Sequence, residues 1–170
     1  MQQTKWLDRK FNFDFPAGLM PNILARLSGT LPRLNQIVLQ LSDDQMKLRP
    51  GDKWSIKEHI GHLSKTELLH EGRIDDIIAH KEVLRAAGFK KSEDEPDYNL
   101  EDIRDLLKRF EINRQRFISR LEELDDKIQN TAAFHPRLQV MMRPVDIAYF
   151  AAEHDDHHIA GIYEIMKTDI

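Results

Sequence analysis

Residues 54–63 read WSIKEHIGHL, and the first five positions already commit the chain to a helix. Ser55 followed three residues later by Glu58 is a capping box, in which each side chain satisfies the other residue's backbone N–H. Trp54 just ahead is placed to pack on the helix entry. Behind the cap, Ile56, Ile60, Leu63, Ile74 and Ile77 keep a helical spacing, which carries the element to about Ala87 with Gly88 as its stop.

Three further helical patterns surround this one. Ile23, Leu27, Leu34, Ile37, Val38 and Leu41 mark a first helical region over about 19–41, which Gly29 and Pro32 should kink or divide. FKKSEDEPDYN at 89–99 is a polar, turn-rich connection, long enough for a crossover between helices that are not directly apposed. Asn99 is then an N-cap for a third helix whose stripe is Ile103, Leu106, Leu107, Phe110, Phe117, Leu121, Leu124 and Ile128. That stripe holds no titratable group, so the third helix reads as a passive wall. Pro144 suits the first turn of a fourth helix running to about Lys167. No strand pair is apparent. KFNFDF at 10–15 alternates Phe11, Phe13 and Phe15, an extended arm that must pack on the body, since one strand is not stable alone. The expected architecture is all-α: a four-helix bundle in a single domain, 1–170, with an arm at 1–17 and helices over 18–168.

Composition agrees. With 41% apolar and 32% charged residues, the chain is that of a folded helical protein. A net charge of −4 gives no basic footprint for nucleic acid, and no segment approaches a membrane span. MQQTKWLDRKFNFDFP has no apolar signal core, so the cytoplasm is the expected compartment. There is no cysteine, which leaves His, Asp and Glu as the only metal ligands.

The histidines are the chemical signal. EHDDHHIAGI at 153–162 puts His154 and His158 four residues apart, one turn above the other on a helix. Against the stripe of Ile147, Phe150, Ala151, Gly161, Ile162 and Ile165, both face the core, His157 sits at its margin, and Glu153 and Asp156 point outward. Buried imidazoles need partners. Either each finds a hydrogen bond in the bundle, or the pair holds an ion with a third ligand from a facing helix. The second helix offers His59, His62, His70 and His80, and periodicity alone favours His59 or His70 over His62.

KWSIKEHIGHL resembles the Trp-Ser-x-x-Glu-x-x-x-His-Leu signature on the second helix of the DinB-like family. HDDHH at 154–158 resembles that family's His-x-x-x-His on the fourth helix. Length, helix order, the long connection and the arm match as well. The resemblance implies a metal triad of His62, His154 and His158, a bundle with a long crossover, and often a homodimer. The exposed flanks of the first two helices are then the expected self-association surface. His59 and His157 would flank the triad. His70, His80 and His135 read as surface or local hydrogen-bonding residues. Glu67 lies on the apolar stripe and could orient a ligand or bound water, or simply pair with Arg73 or a lysine; Asp155 is similar. A Glu67→Gln change is then expected to cost little stability.

Three neutral imidazoles on a divalent ion, zinc or nickel, leave a coordination position open. A water bound there becomes a nucleophile near neutral pH, and a thiol bound there ionises. The family holds thiol-dependent transferases and isomerases beside members called metal-dependent hydrolases. The expected function is therefore a metal-dependent enzyme that moves a low-molecular-weight thiol onto a small electrophile. A hydrolase is the first alternative and a non-catalytic metal-binding stress-response bundle the second.

Overall fold

A computed structural model describes residues 3–88 and 96–168. The first helical region is divided at Gly29 into α1 (Met20–Ser28) and α2 (Thr30–Val38). A short α3 (Asp43–Lys47) leads to α4 (Ile56–Ile78), then α5 (Ile103–Glu122), α6 (Asp126–Gln129) and α7 (Pro144–Lys167). At the start of α4 the capping box is formed in full: Ser55 Oγ accepts from Glu58 N at 3.1 Å, and Ser55 N donates to Glu58 Oε2 at 2.9 Å. The four long elements make an all-α bundle. No helix among the described residues is long and apolar enough to cross a membrane.

The long crossover is the connection after α4, as expected, although the helices it joins are directly apposed. α4 and α5 pack on each other, α4 also packs on α7, and the α1–α2 unit packs on α5 and α7. Ser64, Glu67, Glu71 and Asp75 of α4 bond in that order to Asn113, Arg114, Arg116 and Arg120 of α5, so the two helices are parallel and the chain must return the length of the bundle between them. The first helical unit and α4 are diagonal, joined through α3. Of the polar connection after α4, residues 89–95 lie outside the described residues.

α4 also stops nine residues earlier than its pattern suggested. His80 takes a left-handed conformation (φ 53°), Lys81 N donates to Asp76 O, and His80 N donates to Ile77 O. These are the two bonds of a Schellman ending. Asp76 reinforces the stop by accepting from Lys81 Nζ, Arg85 N and the Arg85 guanidinium. The freed segment then runs beside a hairpin that the sequence did not disclose, β1 (Ala133–His135) against β2 (Val140–Met142). Leu84 N donates to Phe134 O and Phe134 N to Glu82 O, both below 3 Å. Three-residue strands are too short for an alternating pattern to be read. α5 is capped by Asp102, not Asn99: its carboxylate accepts from Arg104 N at 2.8 Å, while 98–100 form a separate 3-10 turn.

The apolar core is in two parts. One joins Ile23, Leu27, Ile74, Ile77, Phe117, Leu121, Met142 and Phe150, with Phe11, Phe13 and Phe15 of the arm packed against it. The other joins Leu34, Ile37, Ile56, Ile60, Leu63, Phe110, Ile159 and Ile162. The break falls at one level in every helix: after Leu27, Leu63, Phe110 and Ala152. Polar side chains occupy that level.

Candidate metal centre

His62 on α4 and His154 and His158 on α7 meet in this polar layer, each offering one ring nitrogen within 4.8 Å of the others. His154 Nε2 is 3.2 Å from His62 Nε2 and 3.0 Å from His158 Nε2. Nitrogens about 2.0–2.1 Å from one tetrahedral ion stand roughly 3.4 Å apart, so the spacing nearly matches that of a shared cation. The donor set fits too. Burial, followed by the neighbouring histidines, drives His154 and His158 well below the ordinary imidazole pKa, which leaves neutral ligands. Both rings are 6% exposed. The helical spacing explains why: the pair lies along the buried stripe of α7, and α4 presents His62 opposite.

The surroundings fix the rings. His59 Nδ1 lies 2.8 Å from His158 Nδ1, holding the side of that ring turned away from His154. Burial lowers the pKa of His59 to about 4, so it too is neutral at pH 7. Gly161 makes room for it, since a Cβ there would lie 3.0 Å from His59 Cε1. Trp54, half exposed, stacks on His158 with centroids 5.7 Å apart and lies 4.8 Å from His62. It is more than an entry residue. On the opposite side Trp6 of the arm meets His154 edge-on at 5.0 Å. His157 is turned outward, its Nδ1 3.1 Å from Gln3 Nε2 of the arm.

Other expectations fail at particular residues. The third helix is not a passive wall. Arg114 on α5, 3% exposed, forms two 2.7 Å bonds to Glu67 on α4 and bonds of 2.7 and 2.9 Å to Asp155 on α7. Thr30 Oγ1 donates to the same Asp155 at 2.7 Å. Glu67 thus pairs with Arg114 and not with Arg73. Burial pushes the Glu67 carboxyl up while Arg114 opposes it, and the Arg114 guanidinium rises despite burial because of the two carboxylates. Asn113 also faces inward and donates to Ser64 O. The missed signal is a gap in the α5 stripe: between Phe110 and Phe117 the inward positions carry Asn113 and Arg114.

Glu153 and Asp156, expected to point outward, are half-buried and tie α7 to the arm and to the first helical unit through Arg9, Arg26 and Arg33. His70 is 1% exposed with no hydrogen bond at either ring nitrogen, so it is neither a surface nor a local hydrogen-bonding residue. His135, also 1% exposed, does accept locally from Leu138 N, and His80 is exposed.

Comparison with known proteins places this geometry in context. The DinB superfamily model matches residues 26–162. A solved structure described as "YfiT from Bacillus subtilis is a probable metal-dependent hydrolase with an unusual four-helix bundle topology" is similar at a TM-score of 0.79. It shares 19% identity, with 94% of this chain and 92% of that one covered, a likeness of fold. No curated protein matches the sequence.

Proposed function

The chain belongs to the DinB superfamily, and from that premise we propose a metal-dependent enzyme in which His62, His154 and His158 hold one divalent ion, zinc or nickel. The convergence of their three ring nitrogens carries the reading. When bound, such an ion supplies a Lewis acid and an open position that lowers the pKa of a small nucleophile. The protein's own part is to hold neutral imidazoles in fixed orientation. His59 does this for His158, Trp6 closes the arm side of His154, and Trp54 forms a half-exposed rim where a small substrate can stack.

Transfer of a low-molecular-weight thiol onto a small electrophile is the reaction put first. Sulfur bonds to the electrophilic carbon, and the leaving group departs with its electron pair. One observation supports it over hydrolysis. Each acidic residue within five positions of His62, His154 or His158 on its own helix is bonded to an arginine: Glu58 to Arg49, Glu67 and Asp155 to Arg114, Glu153 and Asp156 to Arg26. Water attack benefits from a free carboxylate base, whereas an ionised thiol needs none. Hydrolysis remains the second reading, on the strength of the similar YfiT structure's description.

Tag-free protein and its His158→Ala variant, assayed for metal content and for turnover of a generic electrophile with a panel of thiols, test the proposal. Wild type should hold about one ion and turn over only with thiol, and chelator and the substitution should each abolish both properties. Thiol-independent turnover selects hydrolysis. Metal without turnover selects the non-catalytic bundle. Full activity of His158→Ala in metal-free buffer overturns the reading.

A further inference from the structure

Among the described residues, four buried side-chain nitrogens have no hydrogen-bond partner: His70 Nδ1 and Nε2, His135 Nε2 and Arg137 Nη2. All three residues surround one ring, that of Phe150. His135 and His70 lie 5.7 and 6.3 Å from it by ring centroids, and the Arg137 guanidinium lies 5.6 Å over it. What this cluster lacks is acceptors. His135 Nδ1 accepts from Leu138 N at 3.2 Å, so the ring proton is on Nε2, which is a donor with nothing to receive it. Arg137 Nη2 is another. Arg73, 2% exposed, adds a further cation whose one described bond goes to Arg85 O. Among the described residues, neither Arg73 nor Arg137 has a carboxylate ion pair. Unmatched buried donors are costly, and cations without counter-charge more so.

One member of this cluster, Arg137, also borders a groove. The groove is a cavity of about 650 Å3 between the arm and the hairpin, with Leu7, Phe11, Phe13, Leu138 and Val140 as apolar walls and Arg9 and Lys10 at its side. Arg9 is neutralised by Glu153, but Lys10 has no ion pair among the described residues. The volume suits a small ligand. An apolar trough bordered by Arg137 and Lys10, neither with an ion pair among the described residues, is complementary to a molecule with an apolar body and an anionic head.

We propose that the groove between the N-terminal arm and the β1–β2 hairpin binds a small amphipathic organic anion, its carboxylate or phosphate received by Arg137 and its body lying along Phe11 and Phe13. The site is distinct from the three-histidine cluster and requires no metal. A phosphate head would make three strong acceptors available, a carboxylate two; the two heads differ in the bonds they offer and not in the site that receives them.

Calorimetric titration at constant ionic strength with octanoate, octyl phosphate, acetate and inorganic phosphate tests this on the full chain treated with chelator. Octanoate or octyl phosphate should bind saturably and at least tenfold more tightly than its headgroup alone, and the tighter of the two identifies the head. Arg137→Met should weaken binding at least tenfold and Lys10→Met less than threefold. Should Arg137→Met fail to fold, Arg137→Lys, which keeps the charge without the fork, should still weaken binding at least threefold. Absence of saturable binding, equal binding by Arg137→Met and wild type, or a crystal structure with octanoate that shows only water at Arg137 would each overturn the proposal.

Discussion

On the side of His154 that faces α5, the Arg114 guanidinium bonds the carboxylates of Glu67 and Asp155, the Thr30 hydroxyl donates to Asp155, and every charged group has a partner. On the side that faces the arm and hairpin, Arg73 and Arg137 stand beside His70 and His135, and among the described residues no carboxylate is bonded to either arginine. Both clusters are buried in a protein of similar size and composition throughout, so burial alone does not dictate whether a charge is compensated. The first cluster crosses four helices and locks the two that carry His62, His154 and His158. The second borders a groove. A saturated network is structural by construction, because no valence is left for anything else; an unsaturated one is held in place by the rest of the fold and keeps its binding capacity for something outside it.

The largest expected effect that would break this contrast is on Arg114. Arg114→Met strands two buried carboxylates and should cost about 3–5 kcal/mol by denaturant unfolding. Arg137→Met removes a cation that has no partner, so it should cost less than half as much; an equal loss would mean that the two clusters are alike. Glu67→Gln comes next. With Arg114 bound to it at both oxygens, the change should cost about 1–3 kcal/mol, against the small effect that the sequence alone suggested. Metal content should be retained while the rate falls roughly 10- to 100-fold, because Glu67 and Asp155 share the arginine that sets α4 against α7. Unchanged stability would show that the ion pair is not formed.

Acid sharpens the other side. Burial first, then Arg73 and Arg137, lowers the pKa of His135 to about 4, below its ordinary 6.5. The folded state thus binds this proton less readily than the unfolded one. Its contribution is complete above about pH 6.5 and is lost as pH falls through 4. Chelated wild type should therefore lose up to about 1.4 kcal/mol per pH unit more than His135→Gln across that window. His70 from α4 faces the same ring and titrates in the same sense. A parallel pH profile for the two proteins would remove His135 from the account. The smallest effect is Thr30→Val, which deletes one neutral donor to Asp155 and should cost about 1 kcal/mol in the same unfolding assay.

Much of this is legible in the sequence, and the misses have physical reasons. The long helices announce themselves through repeated apolar spacing, and α7 was bounded at Pro144 and Lys167 because a proline start and a long stripe are local signals. The pairing of His154 with His158 was likewise local. The choice of His62 over His59 and His70 was not; it came from resemblance, and the structure brings His62 Nε2 to the pair while His59 sits behind it. Arg114 escaped because its partners lie 47 and 41 positions away. The early end of α4 escaped because it uses histidine where glycine is the usual residue, and the hairpin because its strands are three residues long. For Arg114 the deciding contact joins segments distant in sequence, where periodicity carries no information; at the end of α4 and in the hairpin the contacts are local but too short to set a period.

The arm has a consequence for how the protein is made. Gln3 meets His157 across 154 positions, and Arg9 meets Glu153 across 144. During synthesis the arm can find its place only after α7 has left the ribosome, and the same is true of the three-histidine cluster, two of whose members lie on that helix. Until then the aromatic segment 11–15 lacks the helix it packs on. Contacts so distant in sequence are slow to close, so the aggregation hazard of this bundle lasts until α7 is in place.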